Sequence, residues 1–406
     1  MAAKTSFIKF DELAKKEYVN LLGNDLVELG MTPGPTRCVA KINDSDVRIG
    51  RKENFPITSK VAEIINKLNK LYSIDLFYRE SNGNLIIVGG LGKNPSDKNI
   101  FDLPVTLTAH LDEITYMVKN EKVRDGDDFI LIPLCSPPPE IKPENADVKI
   151  LGFRGKDSRK LVELGTGKID LIGEDKEKDF VLKGTDSVEI LTGDLIIQDY
   201  FHGDKKSAIG LDSTIRMKAL DDRVGSIAQI YSIAELAKRN VPAKAILAGD
   251  EEGFNKDVSW ARLIRPTFRK YVNPNGLILV CDGFDGHNMH TEFSGGQLLK
   301  EALITSYISK GSGAGDPGIL SLFRDEIIED AKKNGFGAVL TTCYASRSLD
   351  PKIMDEFPLI SFIDWSNGAV GGRDAICHLD ESVSIHQVIN IIGLTCLAVN
   401  YFTNCL

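Results

Sequence analysis

The chain has 406 residues, 42% of them apolar and 26% charged, which is the composition of a soluble globular protein with room for a large core. Its net charge of −9 argues against a nucleic-acid partner, because phosphate binding needs a basic face. The opening stretch, MAAKTSFIKFDELAKKEYVN, is broken early by acidic residues and lacks the apolar run of a signal peptide.

In chain order, apolar side chains at 57, 61, 64, 65, 68 and 71 predict a helix, with Thr58 or Ser59 as its cap. Val105 to Ala109 reads as a strand ending at His110. From 119 to 205 the helical period disappears, and short pieces such as FILIPL, VKILGF, KIDLIG, VEILTG and LIIQDY alternate with turn residues. Beyond them, Val224 to Asn240 reads as a helix stopped before Pro242. Ala245 to Ala248, Gly276 to Cys281 and Leu359 to Trp365 read as buried strands. Val383 to Phe402 reads as a nearly all-apolar helix, with His386, Gln387 and Asn390 arguing against a membrane span. The expected fold is α/β, a mainly parallel central sheet with helices on both faces. That domain would comprise 1–118 and 206–406, interrupted by an all-β, barrel-like insert at 119–205.

Seven cysteines, Cys38, Cys135, Cys281, Cys343, Cys377, Cys396 and Cys405, form no C-x-x-C pair. An odd, scattered set points to reduced thiols in the cytoplasm, most of them small core residues.

Several polar groups share a placement. His110 follows VTLTA, Glu251 and Glu252 follow AILAGD, and Asp282 follows LILVC, each at the end of an apolar run. Ligands of open α/β sheets gather at the carboxyl ends of strands. Asp221, in KALDDRVG, stands just before a helix, and His378 lies in AICHLDES. Two imidazoles and three carboxylates suit zinc or a similar divalent ion. Five protein ligands are too many for one open site and suit two ions with a bridging carboxylate. Each motif alone has a plainer reading: a hydrogen-bonded His–Asp pair, an acidic helix start, a capped helix with an ion pair. Their joint occurrence favours the metal.

AHLDEI, KALDDRVG, DEEG, VCDG and the final CH, in that order, resemble the tetrahedral and glutamyl aminopeptidases, family forty-two of the metallopeptidases, some of whose members are labelled endoglucanases. The resemblance spans the whole length, including a β-rich insert between the first two motifs. It implies a dinuclear centre of two divalent ions, zinc first and cobalt as the alternative. Asp221 would bridge the ions, His110 and Asp282 would lie on separate sides, and Glu252 and His378 would complete the set. Glu251 would be the general base, taking a proton from a shared water and passing it to the leaving amine, and Asp112 would orient His110. Peptides would be the substrates, trimmed from the N-terminus. The insert would assemble copies of the chain into dimers and up to dodecamers.

Two regions depart from the family's pattern. Where it has Gly-Gly-Thr-Asp-Ala before the last His, this chain reads SRSLDPKIMDEF, and its Gly-rich N-terminal stretch is replaced by MTPGPTRCVAKI. Both lie near substrate in the family, so metal chemistry is better marked here than substrate choice. His287 and His290 fall outside the pattern and read as loop residues. Glu113 reads as a local cap or pair, Asp222 and Asp250 as supporting or capping residues, and Arg223 as an ion partner for either. Cys281 reads as core packing. The alternatives to a peptidase are an endoglucanase-type glycosidase using paired carboxylates, and a metal-binding oligomeric scaffold without activity.

Overall fold

In the strand Asn84–Gly89, Leu85 and Ile87 join one apolar core while Ile86 and Val88 join another. Ala243–Ala248 divides in the same way, and so does Leu277–Val280. Successive side chains of a strand face opposite ways, so strands buried at every position need a packed layer on each side. The computed structural model supplies both layers. It describes residues 7–35, 39–42, 45–48, 55–122, 128–134, 146–154, 161–172, 179–185, 188–199, 201–202, 208–249, 260–285, 300–307, 319–343, 360–367 and 381–405. Side chains of Lys16–Met31, Pro56–Tyr72, Leu220–Lys238 and Ile385–Cys405 fill the first core; Ile100, Ile264, Phe268 and Tyr271 fill the second.

The nine-stranded sheet runs Ala338–Cys343, Ala302–Tyr307, Ile360–Asn367, Leu277–Val280, Val105–His110, Ala243–Ala248, Asn84–Gly89, Leu76–Ser81, with Gly283–Asp285 pairing off this path against Ile360–Asn367. The four strands from Ile360–Asn367 to Ala243–Ala248 are mutually parallel. The flanks depart from the parallel expectation. Ala302–Tyr307 is antiparallel to Ile360–Asn367, and Leu76–Ser81 and Asn84–Gly89 form a hairpin that pairs antiparallel with Ala243–Ala248. The hairpin turns on Asn82 and Gly83, both at positive φ, as a two-residue loop of this hand requires.

Register sets the working edge of the sheet. Ala248 lies opposite His110, and Val280 lies opposite Thr108. The chain therefore leaves three adjacent parallel strands at one edge, just before the candidate acids or at the candidate histidine.

Six strands, Thr115–Lys122, Phe129–Pro133, Ala146–Phe153, Leu161–Ile172, Asp179–Lys183 and Leu195–Gln198, close into a barrel around Tyr116, Val148, Ile150, Ile169 and Ile196. Closure removes the unpaired strand edges that a small open sheet would expose. VEILTG is not one of these strands: Leu191 is 45% exposed, and Gly193, at φ +90°, sits in a turn.

The helix predicted near 57–71 spans Pro56–Tyr72 and buries Ile57, Val61, Ile64, Ile65 and Leu68, but Leu71 is 56% exposed. Neither Thr58 nor Ser59 caps it. Phe55 occupies that position without a side-chain bond, and Pro56 opens the helix, where its missing N–H costs nothing. The last helix, Ile385–Cys405, is long and apolar enough to cross a membrane, yet 83% of its apolar window is buried within the protein, as in a core helix.

One buried cation ties the second core together. Lys244 Nζ donates to the carbonyls of Ile100 (2.9 Å), Leu103 (3.1 Å) and Tyr271 (2.7 Å), with Phe101 at 3.2 Å. Two of these lie in the short helix Asp97–Phe101, and Tyr271 ends the helix Trp260–Tyr271, so the ammonium serves carbonyls at helix ends. Burial pushes the Lys244 amine down to about 7, and the Asp102 carboxylate opposes the fall by favouring the charged form. Lys244→Met should therefore destabilise the fold by about 2–3 kcal/mol, read as a lower urea midpoint at unchanged slope. A midpoint equal to that of the unsubstituted protein would discard this capping role.

Candidate metal centre

Each side chain of the candidate site is placed by the element that precedes it. His110 is the last residue of Val105–His110, and Asp282 lies two beyond Leu277–Val280. Asp221 and Asp222 have non-helical φ/ψ at the head of Leu220–Lys238 and are joined by a cis peptide. The regular helix follows them, and Asp222 Oδ1 accepts the Gly225 N–H at 2.8 Å, the geometry of a helix cap. Asp221 is thereby held off the helix.

Ligand-type atoms of His110, Asp221 and Asp282 all lie within 4.8 Å of one another. His110 Nε2 is 3.5 Å from Asp221 Oδ1, and its Nδ1 is 3.4 Å from Asp112 Oδ1. The buried Asp112 thus flanks the ring on the side away from Asp221. The Ser226 hydroxyl donates to the His110 carbonyl at 2.7 Å, tying the strand end to the helix that follows Asp221. Gly283 is required for the approach: a Cβ there would stand 2.9 Å from Asp221 Oδ1 and 2.9 Å from Trp365 Cζ2. The Gly283 N–H donates to Asp282 Oδ1.

These acids crowd one another. Burial first, and then the Asp282 carboxylate, push the Asp222 carboxyl well above its ordinary range, with Asp221 adding to the rise and His110 opposing it. A divalent cation among such groups offsets that repulsion. One imidazole nitrogen with carboxylate oxygens is also a donor set for zinc or a similar first-row ion, so the residues fit a metal.

Behind the cluster stands a second polar network. Glu113 is buried; its Oε2 accepts from Lys218 Nζ at 2.6 Å, and its Oε1 accepts from Arg223 Nη2 and the Gly34 N–H, each at 2.9 Å. Burial works against this carboxylate, but Lys218 and Arg223 outweigh it and hold Glu113 below the ordinary range. Arg223 also donates to the carbonyls of Leu29, Gly30 and Thr32, at the end of the helix Lys16–Met31, and to Leu111 O. Gly34 must be a glycine here, because a Cβ would stand 2.6 Å from Arg223 Nη2. Two expectations are corrected. Glu113 pairs across more than a hundred residues rather than locally, and the ionic partner of Arg223 is Glu113 rather than Asp222. Distant charges meet because three segments converge at the strand end, which local sequence does not reveal.

Glu251, Glu252, His378, Asp250, His287 and His290 lie outside the described residues. The strand leading to the two glutamates ends at Ala248, opposite His110, and Gly249 borders a small pocket together with Asp112, Leu111, Gly34 and Pro35. Glu381, three residues past His378, accepts the Asp221 N–H at 2.9 Å. Cys281 packs in the core, as expected. The sequence reading took Trp365 only as the end of a buried strand and missed its place beside these acids.

No family model matches the sequence, and no curated protein matches it. Solved structures do match its fold. A TET aminopeptidase from a marine sediment Thaumarchaeota archaeon superposes with a TM-score of 0.63 at 13% identity, over 93% of this chain and 96% of that one. The S. cerevisiae mApe1 dodecamer gives a TM-score of 0.60 at 13% identity, over 96% and 98%. An endoglucanase from Thermotoga maritima gives 0.54 at 14% identity, over 92% and 96%. The chain therefore has the α/β fold shared by these proteins, over nearly its whole length.

Glu113→Gln keeps the volume and removes the charge, leaving Lys218 and Arg223 buried without their anion. It should destabilise the fold by about 3–5 kcal/mol. Equilibrium unfolding in urea measures this. A cost below about 1 kcal/mol would show that the network does not anchor the fold as described.

Proposed function

We propose that the chain is a dinuclear metal-dependent aminopeptidase. The observation that carries this reading is the convergence of His110, Asp221 and Asp282 at the carboxyl edge of the parallel strands, in a fold shared with solved aminopeptidases. His110, Asp221, Glu252, Asp282 and His378 would hold two divalent ions, zinc or cobalt, with Asp221 as the shared ligand. Bound there, the ions would supply Lewis acidity toward water and toward a peptide carbonyl.

The remaining work falls to the chain's own residues. Asp112, its Oδ1 3.4 Å from His110 Nδ1, would orient the ring and favour the tautomer that leaves Nε2 to ligate. Glu251 takes the proton of the attacking water and returns it to the leaving amine, a role worth about 10²–10⁴ in rate. The acids near the ions receive the free ammonium of the substrate, which limits cleavage to the first residue.

In this reading 1–118 and 206–406 form the catalytic domain, and 119–205 joins copies of the chain into a homo-oligomer. One structure with this fold is a dodecamer and another assembles as a tetrahedron or octahedral shell, which supports assembly here. The odd, scattered cysteines support a cytoplasmic placement.

A second reading is glycoside hydrolysis, since one structure of this fold is called an endoglucanase. His110 within the acidic cluster favours the peptidase, because paired carboxylates suffice for a glycosidase.

The test is a mixed peptide pool treated with protein plus zinc or cobalt, with and without chelator, and read by mass spectrometry. Stepwise loss of N-terminal residues that chelator abolishes is expected. Glu251→Gln should keep both ions and lose about 10²–10⁴ in kcat. Chelator-resistant release of reducing sugar, without trimming, would replace this reading with the glycosidase.

A further inference from the structure

Trp365 is fully buried and binds two acidic segments at once. Its backbone N–H donates to the Asp282 carbonyl at 3.3 Å, where Gly283 and Trp365 are register partners in parallel strands. Its indole Nε1–H donates to Asp222 Oδ1 at 2.9 Å. The edge of its ring and the Asp221 carboxylate close on the same small space beside Gly283, each 2.9 Å from where a Cβ would be. Among the described residues, Asp222 receives the indole and the Gly225 N–H on Oδ1, and none of them bonds its buried Oδ2.

We propose that Trp365 is a positioning residue of the metal centre, setting the distance between Asp221 and Asp282 by bonding the neighbour of one and the backbone of the other. The proposal rests on Asp221 and Asp282 being metal ligands. The geometry leaves little slack. Asp221 stands in a non-helical hinge that Asp222 terminates, so the hinge takes its orientation from what holds Asp222. The Gly225 bond fixes Asp222 to its own helix. Among the described contacts of Asp222, the indole bond is the one that references it to the central sheet. A phenylalanine would fill most of the ring's volume without the donor, leaving Asp222 to turn about its helix cap.

The experiment compares Trp365→Phe with the unsubstituted full-length chain, using cobalt(II) alone as the probe. Stripped protein is titrated with Co²⁺ while its visible d–d bands are followed, and kcat and KM are measured on a trimmed peptide. The variant is expected to bind at least one Co²⁺ about 10- to 100-fold more weakly, the usual loss when a supporting residue behind a ligand is removed. Its band shape should change, and kcat should fall with KM nearly constant. Unchanged Co²⁺ affinity and bands in a folded variant would overturn the proposal.

Should Trp365→Phe fail to fold, the chain with its own sequence carries the test. It has two tryptophans and so two indole N–H resonances, which Trp260→Phe assigns. The Trp365 resonance should shift on saturation with Zn²⁺, and a stationary resonance would overturn the proposal. If the unsubstituted chain binds no metal, both this proposal and the aminopeptidase reading fall. If it binds two ions and trims peptides while Trp365→Phe matches it, this proposal falls alone.

Discussion

A carboxylate taken out of water must be met by cations and N–H groups, and at Glu113 that requirement organises the surrounding chain. Its partners come from three places: Gly34 from the loop after the helix Lys16–Met31, Lys218 from the end of the strand Thr214–Met217, and Arg223 from the start of the helix Leu220–Lys238. The chain between His110 and Glu113 carries Asp112, so fixing Glu113 also fixes how the strand leaves the sheet. Arg223 carries the constraint further, to the carbonyls of Leu29, Gly30 and Thr32 at the end of Lys16–Met31. The candidate metal residues are thus positioned from behind by a network whose charges meet one another within the protein.

Two layers of polar groups follow from this. In the inner layer Glu113, Lys218 and Arg223 neutralise one another and are satisfied within the protein. In the outer layer the acids at Asp221, Asp222 and Asp282 outnumber the positive groups described beside them, and burial with mutual repulsion drives Asp222 toward its neutral form. A fold satisfied in one layer and acid-rich in the next has the charge balance that the proposed cations would complete. The parallel strands make this possible, because they deliver His110 and Asp282 to one edge without long loops.

The features legible in the sequence were those with a local signature. His110 and Asp282 stood after apolar runs, and the register puts those runs side by side. Strand existence was readable from continuous apolarity, but strand direction was not, because a run buried on both faces reads alike whichever way its neighbour points. The antiparallel flanks therefore came unannounced. One of them did have a signal in Asn82-Gly83, the dipeptide of a two-residue hairpin. VEILTG has the composition of a strand, and Gly193 bends it into a turn.

The features not legible were the pairings across distance. Asp222 was readable as a cap, since Gly225 is three residues on, but the indole that holds it comes from Trp365, which sequence order places far beyond any local rule. The same holds for Arg223, whose nearest acids in sequence are Asp221 and Asp222, while its ion partner is Glu113. Helix geometry explains the exchange. Asp222 spends its Oδ1 on the helix start and the indole, which leaves Arg223 to reach back over Leu111. Adjacent residues of Asp221-Asp222-Arg223 thus face three ways, toward the candidate ions, the central sheet and the buried Glu113. A three-residue motif can join three parts of the fold because the chain there has not yet entered its helix.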